Sequence, residues 1–325
     1  MKPAFLITID TEGDDLWSRP KSIETRNAGY LPRFQQLCEK HGLKPTYLTN
    51  YEMAMSKPFQ EMARDCIARG TAEVGMHLHA WNSPPLGALT DDDMACQPYL
   101  VEYSTEVMKQ KIGYMTHLLE DTFQTDMVSH RAGRWAIDSR YVRLLVEYGY
   151  TIDCSVTPTV SWKASMGDPA GEGGTDYSGY PADAYFVDLD DPARAGNSPL
   201  LELPMTVRWP AAAWAKWIPS RLRRLRGIGR LNRRNWMRPD GRNVADLLAI
   251  IEGEVQASAP YVEFMLHSSE FMPGGSHVFR NQQQIDALYS DLERLFARAA
   301  EVYSGRTLKE YGQEVAAGLR PAARA

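Results

Sequence analysis

Short apolar runs recur along the chain, each followed by a longer stretch in which apolar positions return every three or four residues. That pattern predicts repeated β-α units around a parallel sheet. Phe5–Ile9 reads as a buried strand, Thr46–Thr49 and Ala72–His77 as the second and third. Met127–Ser129 and Thr151–Asp153 read as the fourth and fifth, and Val262–Leu266 as the last strong one. Helical spacing fills the intervals at Leu31–His41, Phe59–Arg69, Glu102–Asp121 and Tyr141–Tyr148, the last ended by Gly149. A final amphipathic helix covers Gln282–Ala299, with Ile285, Leu288, Leu292, Leu295 and Phe296 inward.

The alternation breaks between Val156 and Asn243. This stretch, residues 157–242, reads as an insertion within one barrel domain spanning 1–325. It contains a Gly-rich loop (Gly171, Gly173, Gly174) and short strands near Tyr185–Leu189 and Leu200–Leu203. A basic segment follows. From Leu203 to Pro239 no acidic residue occurs, while Arg208, Lys216 and the arginines from Arg221 to Arg238 accumulate beside Trp209, Trp214, Trp217 and Trp236. Arginine with tryptophan suits a membrane interface bearing anionic headgroups, or the pyrophosphate of a lipid-linked sugar. A solvated basic loop whose tryptophans pack on the barrel explains the composition equally well.

The 325 residues are 44% hydrophobic and 24% charged, which is ordinary for a globular protein with a sizeable core. A net charge of -5 argues against a protein that coats nucleic acid, and no nucleic-acid partner is expected. The four cysteines (Cys38, Cys66, Cys96, Cys154) are scattered without a CxxC pair, which favours a reducing compartment. The apolar run from Ala4 to Ile9 is too short for a secretion signal, and no stretch is long enough to span a bilayer. A cytoplasmic location is expected, with peripheral contact at the inner membrane face through 203–239.

Candidate chemistry gathers at the C-terminal ends of the predicted strands, where barrel enzymes carry their reacting groups. Asp10-Thr11-Glu12 follows the first strand, and residues two apart on an extended backbone face the same way. One carboxylate could hold a metal and the other act as a base; a solvated loop is the plainer alternative. His77-Leu78-His79-Ala80-Trp81 closes the third strand, and two imidazoles at i and i+2 can chelate one divalent ion. Trp81 could wall a pocket or simply pack in the core. His267, after the last strand, could serve as a general acid or be a hydrogen-bonded rim histidine. In Ser129-His130-Arg131-Ala132-Gly133-Arg134-Trp135, Arg131 or Arg134 could hold a buried carboxylate ionised. Asp153 could orient a histidine or cap a turn.

In order and spacing these clusters resemble the NodB-type polysaccharide deacetylases, carbohydrate esterase family 4, over Lys2–Val160 and Val244–Glu301. The resemblance implies a distorted (β/α)7 barrel, here with a long insertion after the fifth strand. It implies hydrolysis of an acyl group, N-acetyl in the usual case, from an amino sugar of a surface polysaccharide or lipid-linked glycan, with a bound divalent ion, zinc by expectation. Asp10 matches the family's base and His267 its general acid. Thr11 stands where the second aspartate is usual, so by resemblance the ligand role passes to Glu12. His77 matches the first metal histidine; position 81 is Trp81, so His79 becomes the second. Arg131 matches the arginine that steadies the base, and Asp153 the tuning aspartate, without its usual tryptophan neighbour. Trp81, Arg134 and Trp135 are the substrate-binding candidates. Two other readings stay open: a barrel amidohydrolase or phosphoesterase, and a deacetylase-like barrel kept as a glycan-binding or assembly subunit.

Overall fold

The computed structural model describes residues 2–208 and 234–319. Its main sheet begins with five parallel strands in sequence order: β1 (Ala4–Thr11), β2 (Pro45–Thr49), β3 (Glu73–Leu78), β4 (Ser129–Ala132) and β5 (Ile152–Asp153). Beyond β5 come β6 (Tyr185–Phe186), β7 (Leu201–Glu202), the antiparallel pair β8 (Val207–Arg208) and β9 (Asn235–Trp236), and β10 (Tyr261–His267). β7 joins β5 in parallel, β10 joins the free edge of β1, and the order becomes β10-β1-β2-β3-β4-β5-β7, with β6 antiparallel on β7. This is the expected α/β barrel, open between β7 and β10. Across the opening, Glu263 N–H donates to Thr206 Oγ1 (2.9 Å), Met265 N–H to the Met237 carbonyl (3.2 Å) and the Tyr261 hydroxyl to the Pro204 carbonyl (2.9 Å).

The helices α1 (Leu31–Lys40), α2 (Tyr51–Ala54), α3 (Lys57–Ala68), α4 (Asp93–Cys96), α5 (Thr105–Phe123), α6 (Ser139–Glu147), α7 (Val244–Gln256) and α8 (Gln282–Val302) precede β11 (Ser304–Arg306) and α9 (Leu308–Ala316). α1, α3 and α6 end the same way. Gly42, Gly70 and Gly149 take positive φ, and the next amide donates back to Cys38, Cys66 and Leu145 (2.9 Å each). A left-handed residue closes such a turn, and only glycine adopts it without a Cβ penalty. Each turn aims the chain at the strand that follows.

Strand alternation sorts the core into two clusters. Phe5, Ile7 and Ile9 pack outward with Phe34, Phe264 and Phe296 beneath the helices. Ala4 and Leu6 pack inward with Leu48, Ile152, Leu201 and Tyr261, and Leu308, Tyr311 and Val315 of α9 join them. Above this inner apolar layer, the inward positions turn polar: Thr8 and Asp10 on β1, Arg131 on β4, Glu263 on β10, all buried. An apolar floor therefore carries a charged upper chamber.

One expectation needs correction. The fourth strand covers Ser129–Ala132 rather than Met127–Ser129, so Arg131 lies within it rather than after it. Its side chains are polar yet buried, satisfied by partners that no apolar pattern announces. The short strand expected near Leu200–Leu203 is β7, which joins the main sheet beside β5. α7 and α9 add to the helices that the spacing predicts. Most of the basic, Trp-rich segment, residues 209–233, lies outside the described residues. At its margins Arg208 pairs with Glu254 (2.5 Å) and Arg238 with Glu270 (3.0 Å). Among the described residues no helix is long and apolar enough to cross a membrane.

The outer core turns on α8. Phe296 is fully buried, with ring centroids 5.4 Å from Phe264, 6.0 Å from Phe5 and 6.1 Å from Phe34. Phe296→Ala should cost about 3–5 kcal/mol of unfolding free energy. Urea denaturation measures it, and a loss below about 1 kcal/mol would mean the cluster closes over the gap.

Candidate active site and metal centre

The charged chamber is built from the inward faces of β1, β3, β4 and β10. β3 presents His77, with His79 beyond the strand end on the same side, and β1 presents Asp10, with Glu12 likewise. The glycine before His77 is required: a Cβ on Gly75 would lie 2.7 Å from the Ser129 carbonyl oxygen and 2.9 Å from Leu48.

Glu12, His77 and His79 converge, with one ligand atom of each within 4.8 Å of the others. Glu12 Oε2 lies 3.3 Å from His79 Nε2 and 3.7 Å from His77 Nε2, and the two Nε2 atoms are 2.8 Å apart. The His77 Nδ1 atom donates to the Arg131 carbonyl (2.9 Å), which leaves its Nε2 lone pair facing the centre. That outer hydrogen bond is the arrangement that fixes the tautomer of a metal-binding imidazole. The donor set, two imidazole nitrogens and a carboxylate, fits a divalent ion and suits zinc chemically.

Asp10 and His267 flank this cluster. His267 Nε2 lies 3.7 Å from Asp10 Oδ2 and 3.9 Å from Glu12 Oε1, and its ring retains 12% exposure. Beneath them Arg131 is fully buried. One guanidinium nitrogen donates to Asp10 Oδ1 (2.6 Å), another to Thr8 Oγ1 (2.8 Å) and to Glu263, and Nε donates to the Cys154 carbonyl (3.1 Å). Burial alone would raise the Asp10 carboxyl, but Arg131, His77 and His267 outweigh it and hold it below the usual carboxylate range. Glu12 is likewise depressed against its burial, by His267, His77 and His79.

The remaining candidates fall elsewhere. Asp153 is buried on the opposite face of the sheet from Arg131, because register pairs it with His130 rather than with an inward residue. Its Oδ1 accepts from His130 Nδ1 (2.7 Å) and from Ser155 (2.8 Å). It therefore orients a histidine, but one that points at Tyr141 in the helical layer and away from the chamber. Arg134 donates to the carbonyls of Gln97 and Met166 and lies over the Tyr99 ring, so its guanidinium braces loops rather than facing the cleft. Trp81 is buried, its ring 4.2 Å from that of His79. Trp135 sits over the Arg131 guanidinium at 4.6 Å and reaches the open cleft. Arg134 and Trp135 both hold positive φ, 56° and 66°, a strained pair directly above the buried arginine.

Several residues that no motif announced complete the site. Glu270 accepts from the backbone N–H of His267 (2.9 Å) and lies 3.2 Å from its Nδ1. Arg238 donates to Glu270 (3.0 Å). Burial would raise the Glu270 carboxyl, yet Arg238 and His267 bring it down to about 2. Its only sequence signal was its place three residues after His267; Arg238 had none. Beside His267 opens a cleft of about 690 Å³ lined by Trp17, Trp135, Trp162 and Trp236 with Arg238 and Asp240 among its polar residues. Trp17 meets the His267 ring edge-on at 4.7 Å.

No family model and no curated protein matches the chain. Among solved structures it is similar to a polysaccharide deacetylase from Mycobacterium smegmatis, at 14% identity and a TM-score of 0.51, over 100% of this chain and 97% of that one. It is also similar to the 4-α-glucanotransferase of Thermococcus litoralis, at 13% identity and a TM-score of 0.54, over 97% of this chain and 41% of that one. At these identities the likeness concerns the fold. The chain has the fold of the NodB-like polysaccharide deacetylases, as the motif order leads one to expect. A shared fold does not fix the chemistry, which rests on the side chains.

Glu263 offers a test of the chamber's charge balance. Burial pushes its carboxyl up to about 7, against the pull of Arg131. An acid whose folded value lies above its unfolded value of about 4.3 binds its proton more tightly when folded. Its contribution to stability therefore falls as pH rises between about 4.3 and 7. Wild type should lose stability relative to Glu263→Gln from about pH 5 to pH 7, then hold a constant gap. Chemical denaturation across that range measures this, and a gap independent of pH would place Glu263 as an ionised partner of Arg131 throughout.

Proposed function

We propose that this protein is a metal-dependent hydrolase that removes an acyl group, N-acetyl in the simplest case, from an amino sugar of a surface polysaccharide or lipid-linked glycan. The observation that carries the reading is the convergence of Glu12, His77 and His79 between Asp10 and His267 at the mouth of the barrel.

Glu12, His77 and His79 would hold the ion. When bound, a divalent ion supplies polarisation of the acyl carbonyl and a water made acidic enough to attack near neutral pH. Asp10, kept ionised by Arg131, takes the proton of the attacking water at Oδ2, the oxygen left free by the Arg131 contact. His267 gives its Nε2 proton to the departing amine, while Glu270 accepts from Nδ1 and fixes which nitrogen faces the site. The tryptophan-lined cleft takes the sugar rings, whose apolar faces suit indoles and whose hydroxyls suit the polar residues among them. The free thiols, mostly buried, support a cytoplasmic location.

Asp10→Asn should keep its metal while turnover falls by about 10²–10⁴. His79→Ala should lose both. Elemental analysis and hydrolysis of N-acetylated amino-sugar glycans, run beside phosphoesters, decide it. A full complement of ion in His79→Ala removes His79 from the ligand set, and turnover of phosphoesters alone replaces the substrate class.

The composition of 203–239 supports peripheral docking at anionic membrane. Sedimentation with liposomes should bring the protein down only when anionic lipid is present; equal, negligible binding to both kinds ends that part of the reading.

A further inference from the structure

The two histidines of the cluster are held differently. His77 has its ring fixed by the Arg131 carbonyl, but the buried Nδ1 of His79 has no hydrogen-bond partner among the described residues. An imidazole without that outer contact depends on its loop for placement, helped here by the Trp81 ring.

One side chain grips that loop. Glu52, in α2 just beyond β2, accepts at Oε2 from Asn82 Nδ2 (2.9 Å), three residues after His79. Its other oxygen, Oε1, accepts from the backbone N–H of Gly13 (3.0 Å), the residue after Glu12, and from Asn50 Nδ2 (2.6 Å). Asn50 N–H in turn donates to the Thr11 carbonyl (3.1 Å). A single carboxylate thus joins the loops that follow β1, β2 and β3. The junction is tight: a Cβ on Gly13 would meet Ile23 at 2.1 Å and the Glu52 carboxylate at 3.0 Å, so only glycine lets this amide approach.

We infer that Glu52 is a positioning residue for the metal centre, setting the separation of Glu12 and His79 by holding Gly13 on one oxygen and Asn82 on the other. This rests on the reading that Glu12, His77 and His79 bind an ion, and zinc affinity of the full-length, chelator-stripped protein separates the two claims. Competition against a chromophoric chelator gives the constant. A wild type that binds no zinc defeats the metal reading itself. If wild type binds, Glu52→Ala should bind about 10–100-fold more weakly. Glu52→Gln should recover most of the loss: its amide oxygen can accept from Gly13, and Asn82 can turn its Oδ1, which has no partner among the described residues, toward the new amide.

Should Glu52→Ala fail to fold, Asn82→Ala removes one arm only and should weaken zinc by up to about tenfold. Leu292→Ala, a cavity in distant α8, should bind zinc like wild type despite its lower stability. Wild-type affinity in both clamp variants overturns the inference. So does a loss in Leu292→Ala equal to that of Glu52→Ala, because general loosening would then explain both.

Discussion

A guanidinium with no access to water is the constraint from which the rest of the chamber follows. Arg131 cannot shed its charge, so the fold has to bring opposite charge to it or forgo burial. It brings the Asp10 carboxylate from β1, and adds the Glu263 carboxyl from β10, the Thr8 hydroxyl and the Cys154 carbonyl. A planar fork can serve partners on two strands at once, which a lysine ammonium cannot do with the same directionality. The contacts tie β1, β4 and β10 together and put one ionised carboxylate at the edge of the Glu12, His77 and His79 cluster.

Alternation along the strands explains both what could be read from the chain and what could not. Phe5–Ile9 and Val262–Leu266 announced themselves because parallel strands covered on both faces read as nearly continuous apolar runs, broken here only by Thr8 and Glu263. His77 and His79, like Asp10 and Glu12, could be placed on one side from spacing alone. β4 could not: Ser129-His130-Arg131-Ala132 looks like a loop unless one knows that Glu73 accepts from Ser129, Asp153 from His130 and Asp10 from Arg131. Those partners are distant in the chain, and only closing the barrel brings them together. Asp153 shows the reverse error, since its neighbourhood in sequence gives no sign of which face of the sheet it occupies.

His267 takes its carboxylate partner from its own loop rather than from β5. A carboxylate on β5 is present, but it is committed to His130 in the helical layer. Glu270, one short turn after His267, stands at the imidazole instead and is balanced by Arg238, which lies near the end of the stretch outside the resemblance. Local geometry at the mouth, rather than the strand positions the motif order points to, decides the pairing.

The apolar floor has a consequence for traffic. With Leu308, Tyr311 and Val315 packed among Ala4, Leu6 and Tyr261, the barrel is stoppered at its amino-terminal end, opposite the histidine side. A chain clipped after Arg306 would retain every reacting group yet lose the stopper. Water rising through the vacated base would hydrate Arg131 from below, and the low-dielectric pairing that keeps Asp10 ionised would slacken. The last short helix, remote from any chemistry, thereby insulates it.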